Sequence, residues 1–217
     1  MKLRYDIIQN SEEWFEIKLG KFSASICADL LMDKKTKGYS NLIKKITEER
    51  ITKKSCESNK FQGNFFTERG HEFEPVARED YEFRTFNEVK IIGVIEKDDW
   101  SLCSPDGLIN SNMLHQIKCP IFNTQWEYLE LLELHKDKLT PNELMYKLSS
   151  TYYKQMQFEL YVSEREFNVF TSFHPSLTAI DIIVSRDKDM IRAIEIRIKE
   201  AKQEVKDRMN KLNFRIS

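Results

Sequence analysis

Ser104-Pro105-Asp106-Gly107-Leu108-Ile109-Asn110-Ser111-Asn112-Met113-Leu114-His115-Gln116-Ile117-Lys118-Cys119-Pro120 is the stretch on which the fold turns. It reads as two short strands and a turn. Ser104 to Gly107 carries an acid to the end of the first strand, and Asn110-Ser111-Asn112 is turn chemistry. Met113 to Cys119 follows as a second strand whose side chains alternate between faces. On that alternation Gln116 and Lys118 point one way and Ile117 points into the core. The hairpin can thus gather Asp106, Gln116 and Lys118 at one point. An acid, a second oxygen ligand and an ammonium suit a hard cation that polarises a phosphate and activates water. The same letters also fit an ordinary hairpin, because Pro-Asp-Gly is a common turn.

The rest of the chain sets the frame. Its 217 residues are enough for an α/β core, and the absence of any linker-like or repeated segment predicts one domain over 1–217. With 34 basic and 35 acidic residues, the formal charge is −1, which argues against non-specific coating of DNA. Acids clustered around metals can still offset a local basic groove. The four cysteines, Cys27, Cys56, Cys103 and Cys119, show no C-x-x-C spacing, so zinc is not expected. Cys103 and Cys119 read as reduced core residues. No leader-like or membrane-spanning apolar run is present, which predicts a cytoplasmic protein with no membrane partner.

Working outward, Ser11 is the expected N-cap of a short helix ending at Leu19-Gly20. A second helix is expected after Lys21 to Ser25, with Ala28, Leu30, Leu31 and Met32 apolar. Lys34 to Lys37 reads as a basic turn ending at Gly38. Ser40 reads as the cap of a helix to about Lys53, buried through Leu42, Ile43, Ile46 and Ile51, and Ser55 to Gly63 as a polar connection. A long helix is expected over Phe65–Arg84, its packing stripe formed by Phe73, Ala77 and Tyr81. Pro75 within it predicts a kink, or a start near Glu74. Val89 to Ile95 reads as one strand. Asn123 to Glu133 reads as a helix with Trp126, Leu129 and Leu132 inward. Thr140-Pro141 opens a helix running to about Val162. Two strands, Phe167–Phe173 and Ile180–Val184, precede an amphipathic helix of Ile191, Ile194, Ile198, Ala201, Val205, Met209 and Leu212. That last face fits a sheet or another subunit equally well.

Three blocks of sequence carry a resemblance. S-P-D-G-L followed by x-I-K-C-P resembles the PD-(D/E)XK nuclease motif, and is closest to its lambda-exonuclease-like (YqaJ-type viral recombinase) branch. E-W-F-x-x-K-L-G-x-F-S-A-S at residues 13–25 and G-x-x-x-E at Gly70–Glu74 match the same branch, and Q-x-Q at Gln155–Gln157 matches more weakly. The resemblance implies a restriction-endonuclease-like α/β core with a mixed central β-sheet flanked by helices. It implies magnesium, with manganese able to substitute, held by Glu74, Asp106, position 116 and the Ile117 carbonyl. Lys118 would stabilise developing charge, and Gln155 would approach the site. Lys18 and Ser25 take the positions that bind a terminal 5′-phosphate. Lys34, Lys35, Lys37 and Ser104 are further candidate DNA contacts. The implied activity is digestion of one strand of duplex DNA from its 5′ end, feeding single-strand annealing recombination. Double-stranded DNA ends, a homotrimeric ring and an annealing protein would be the partners.

One position departs from the pattern. The family's second metal-binding acid is Gln116 here. A glutamine oxygen is neutral, and its amide nitrogen neither binds a cation nor acts as a base. Three readings follow: an inactivating Glu-to-Gln exchange that traps substrate, a variant that still cuts through a weaker site, or a chain that binds DNA ends without cutting. Glutamine is isosteric with glutamate and nearly every other motif position is kept, which favours the first. Another endonuclease or repair nuclease of the superfamily is the rival enzyme reading. His115 is expected to face away from the site.

Overall fold

The motif hairpin forms the middle of the architecture. In the computed structural model, which describes residues 1–55 and 65–213, β6 (Gly107–Ile109) pairs antiparallel with β7 (Met113–Lys118), matching Gly107 with His115 and Ile109 with Met113. Asn110 takes a left-handed backbone, φ 49°, and its side-chain oxygen accepts from the Asn112 N–H at 2.8 Å, so the asparagines close the turn as expected. A side chain at Gly107 would collide with Val89 at 2.2 Å. That close approach gives the glycine after Asp106 a packing reason.

Two mixed sheets carry the chain. The first orders β1 (Lys2–Arg4), β4 (Val94–Asp98), β5 (Ser101–Cys103) and β2 (Phe22–Ser23), with β2 parallel to β5. The second orders β3 (Val89–Lys90), β6, β7, β8 (Phe167–His174) and β9 (Leu177–Ser185), with β7 parallel to β8. The run Val89–Ile95 is therefore two strands in two sheets rather than one. They separate at Gly93, where any Cβ would lie 2.0 Å from the Ile7 carbonyl oxygen.

Helices cover both faces. α4 (Phe65–Thr85) lays Ala77 and Tyr81 on one face of the second sheet, against Ile117, Phe173, Val169 and Ile109. The chain remains helical through Pro75, so no new helix starts there. On the opposite face lies α7 (Ser150–Ser163), buried at every position from Met156 to Ser163 and in contact with β4, β5, β7 and β8. Its buried polar side chains are satisfied inside: Gln157 bonds the Ser185 carbonyl and Glu159 accepts from Asn168. The helix expected from Thr140 is in fact two. Thr140 and Glu143 form a reciprocal capping box on α6 (Pro141–Leu148). The chain then breaks at Ser149, whose side chain caps α7 by accepting from the Tyr152 N–H. α5 (Phe122–His135) packs Leu129 and Leu132 inward, but Trp126 is 49% exposed, bonding Glu130 instead of the core.

The N-terminal region differs in detail. α1 (Glu12–Lys18) is capped by Ser11 as expected. The second helix is reduced to a 3-10 turn, Ala24–Ile26, and one turn of α2 (Cys27–Leu30), with Met32 exposed. α3 (Lys37–Thr52) begins earlier than Ser40: Thr36 is the cap, accepting from Tyr39 N–H, so Gly38 is inside the helix. Ile51 is exposed near its end. α8 (Lys188–Asn213) packs its stripe from Ile191 to Val205 into one core with α2, α3 and α7, which places that face within this chain; Leu212 is exposed. The connection expected over Ser55–Gly63 lies almost wholly outside the described residues, as does Cys56. Cys27 and Cys103 are buried free thiols and Cys119 is half-buried. Among the described residues no helix is long and apolar enough to cross a membrane.

Candidate active site

The alternation of β7 decides what meets what. His115 and Ile117 point toward α4, where the His115 ring lies 4.4 Å from the Tyr81 ring. His115 faces away from the site as expected and is fully buried, its Nε2 pairing with the Thr171 hydroxyl at 2.8 Å. Burial pushes its pKa down to about 4, so it is a neutral core histidine. Gln116 and Lys118 point the other way, toward α7. There the Lys118 ammonium lies 5.2 Å from the Tyr152 ring and Gln116 meets Gln155.

A cavity of about 410 Å³ opens between α4, the hairpin and α5, lined by Glu74, Asp106, Ile117, Lys118, Thr124, Tyr128 and Tyr152, among others. Glu74 and Asp106 therefore face one space, as the G-x-x-x-E and P-D-G blocks imply. Arg78, one turn beyond Glu74, bonds the Glu74 carboxylate at 2.6 Å and the Asp106 carbonyl oxygen at 3.4 Å. Burial raises the pKa of Glu74, and the neighbouring Asp106 charge adds to that rise. Burial also raises that of Asp106, opposed first by Lys118 and then by the Ile117 N–H, which donates to Asp106 Oδ2 at 2.6 Å. Two acids that resist ionising side by side are a donor set that a cation would satisfy. No group of three or more His, Cys, Asp or Glu ligands gathers among the described residues. Magnesium is commonly held by only one or two carboxylates, with waters and phosphate completing it, so the pair fits.

Gln116 is placed differently from a ligand. It is 1% exposed, sits behind Asp106 and does not line the cavity. Its Nε2 donates to Asp106 Oδ2, while its Oε1 accepts from Gln155 Nε2 at 2.6 Å. Gln155 is thus brought to the site, one residue behind the acid. Gln157 is not: it bonds the Ser185 carbonyl and the Asp187 N–H on the far side of α7.

Sequence reasoning missed two members. Arg78 was legible as the i+4 partner of Glu74. Glu159 stands one turn after Gln155, is fully buried, and accepts from Gln155 Nε2 at 3.1 Å and from Asn168 Nδ2 at 2.7 Å. Burial, reinforced by the Asp106 charge, pushes its carboxyl up to about 7.

A second cluster forms around Trp14. The Lys18 ammonium lies 3.5 Å from the centre of the Trp14 indole, and the indole N–H donates to Ser104 Oγ at 2.9 Å. Desolvation, with a smaller contribution from Lys45, lowers Lys18 to about 8. No carboxylate pairs with it among the described residues. Ser25 is exposed and its hydroxyl lies 3.2 Å from that of Ser23. Lys34, Lys35 and Lys37 are exposed around the start of α3 and do not line the cavity; Lys34 pairs with Glu200 at 2.9 Å.

The fold, a mixed sheet flanked by helices with an acid-lined cavity at the motif hairpin, is of the restriction-endonuclease-like class that alkaline exonucleases share. Comparison with known proteins makes the assignment specific. Residues 13–166 match the model of the YqaJ-like viral recombinase domain, and the chain belongs to that family. The chain is similar to an alkaline exonuclease from Laribacter hongkongensis at 27% identity, with 95% of this chain and 98% of that one aligned and a TM-score of 0.77. The same enzyme in complex with dAMP gives 0.78. A phage-related exonuclease from Haemophilus somnus 129PT shares the fold at 13% identity and a TM-score of 0.67, covering 88% of this chain and 96% of that one. No curated protein matches the chain.

Proposed function

We propose that this chain is a magnesium-dependent exonuclease that engages double-stranded DNA ends, degrades one strand in the 5′-to-3′ direction, and is slowed or disabled by Gln116. The observation that carries the reading is the shared cavity of Glu74, Asp106 and Lys118 in a chain of the YqaJ-like family. Glu74 and Asp106 would hold the ion, with the Ile117 carbonyl as a further oxygen. When bound, magnesium would supply positive charge to the scissile phosphate and lower the pKa of a nearby water. Lys118, steadied against the Tyr152 ring, would neutralise charge developing on the phosphate. Lys18 and Ser25 would receive the terminal 5′-phosphate, and Lys18 suits the task because no carboxylate among the described residues competes for its ammonium. Lys34, Lys35, Lys37 and Ser104 would add backbone contacts. Assembly into a ring of three and cooperation with an annealing protein belong to the same proposal.

A second reading has an observation of its own. Gln116 gives Asp106 an N–H donor where the family has an acid, which leaves two carboxylates at the cavity and favours a chain that binds ends without cutting. Digestion of linear duplex with magnesium, comparing this chain with Gln116→Glu, separates the two. Recovery of digestion in the variant supports a nuclease centre. An inert variant at every end type, with magnesium or manganese, leaves end binding as the function.

A further inference from the structure

Glu159 is a buried acid for which the proposed chemistry has no use. It lies at the end of a continuous line of hydrogen bonds that begins at Asp106. Asp106 Oδ2 accepts from Gln116 Nε2, Gln116 Oε1 accepts from Gln155 Nε2, and that same nitrogen donates on to Glu159 Oε1. Asn168 Nδ2 holds the other Glu159 oxygen. Among the described residues no ion pair involves Glu159.

The direction of the line follows from its ends. Both ends are placed as acceptors, since Asp106 Oδ2 also takes the Ile117 N–H and Glu159 also takes an Asn168 amide proton, so the line runs with donors pointing at each carboxyl group. Gln155 commits both protons of its amide, one to Glu159 and one to Gln116. Gln116 must then offer its oxygen to Gln155 and its nitrogen to Asp106. Turning Gln155 over would set its oxygen against a Glu159 oxygen, with no proton between them. Turning Gln116 alone would set oxygen against oxygen at Asp106 and nitrogen against nitrogen at Gln155. Gln116 is 1% exposed, so water is poorly placed to repair either mismatch.

We propose that Glu159 is a positioning residue that sets the polarity of the Gln155–Gln116 amide pair, so that Gln116 meets Asp106 through its N–H and is withheld as an oxygen ligand. The inference rests on the cation site proposed above at Glu74 and Asp106. It moves the control of that site to a residue on α7 that lines no part of the cavity. Position 116 alone would then not set metal affinity; the acceptor two links behind it would share the decision.

The test is Mn2+ binding, measured by isothermal titration calorimetry on the whole chain without DNA. In Glu159→Gln, the new amide can keep its oxygen toward Asn168 and turn its nitrogen toward Gln155. Gln155 can then invert, and Gln116 with it, bringing an oxygen to the Asp106 side. Mn2+ affinity is expected to rise, by about 10- to 100-fold, the range over which outer-shell partners act on metal sites. A gain of that kind does not come from structural damage. Gln155→Met cuts the line without altering the buried acid and frees Gln116 to turn, so it is expected to gain as well. It carries the test if Glu159→Gln fails to fold. Gln116→Glu serves as the reference. If that reference binds Mn2+ more tightly than the unaltered chain while neither other variant gains, the role of Glu159 is overturned and the cation site stands. If none of the chains binds Mn2+, the cation site and the inference fall together.

Discussion

Gln116→Glu should weaken the metal-free protein while strengthening its response to metal. The Gln116 amide donates to Asp106 Oδ2 in a buried setting. The exchange replaces that donor with a second carboxylate. Loss of a hydrogen bond to a charged group costs about 1.5–3 kcal/mol. Two unit charges about 4 Å apart repel by about 4 kcal/mol at an effective dielectric constant of about 20, and the pair relieves part of this by sharing a proton. Gln155 Nε2 remains able to donate to the new carboxylate, which offsets some of the loss. A net destabilisation of about 3 kcal/mol at pH 7 is expected, or a fall in Tm of about 6–12 °C for a chain of this size. Magnesium at about 100 times its Kd should return about 2.7 kcal/mol. Thermal unfolding of both chains, in EDTA and in magnesium, measures all of this. An equal Tm for the two metal-free chains, with no magnesium shift in the variant, would refute the placement of position 116 beside Asp106.

Other expectations are independent of that exchange. Digestion or binding by Gln116→Glu should prefer 5′-phosphorylated ends, and Lys18→Ala should remove the preference; equal handling of phosphate and hydroxyl ends would remove Lys18 from that role. The Lys18 ammonium titrates at about 8 against an ordinary 10.5, so the preference should be complete below pH 8 and fade as pH rises through it. The same depression means the unfolded chain holds this proton to higher pH, so stability should rise between about pH 8 and pH 10.5, a rise that Lys18→Met should abolish. Cys119 is pushed up to about 12 by burial and by the nearby Glu74 and Asp106 charges, so peptide mapping after iodoacetamide at pH 8 should find it unmodified in the folded chain. Thr140→Ala breaks the capping box on α6 and should cost about 1 kcal/mol, seen as a lower Tm with DNA-end binding unchanged.

What was legible in the sequence was legible for local reasons. The asparagine turn and the alternation of β7 place Asp106, Gln116 and Lys118 together because both are encoded within a few residues. Ser11, Thr140 and Pro141 mark helix starts through their own side chains. The stripe on α8 follows from its three- and four-residue spacing. What escaped was set by contacts distant in sequence. Gly93 separates β3 from β4 because Ile7 comes within 2.0 Å of where its Cβ would stand. Thr36 displaced Ser40 as a cap, and Ser149 divided the helix expected from Thr140 to Val162 into two. The break could have been suspected from the Ser149-Ser150-Thr151 run. For Gln116 a strand pattern gives a direction but not which end of the amide leads. That polarity depends on Gln155, Glu159 and Asn168, which come from α7 and β8. The Q-x-Q-x-E spacing held a hint, since Gln155 and Glu159 stand one helical turn apart.

The most direct measurement is the fate of end-labelled linear duplex and closed circular DNA incubated with magnesium and either this chain or Gln116→Glu. The chain as it stands is expected to bind the linear ends and release product about 100- to 1000-fold more slowly than the variant, the loss typical of one missing electrostatic group. The variant should shorten linear DNA from its 5′ ends, leave the circle intact, and lose all activity on adding Asp106→Ala. Equal digestion by both chains would contradict the role given to position 116. Cutting of the circle would contradict the exonuclease.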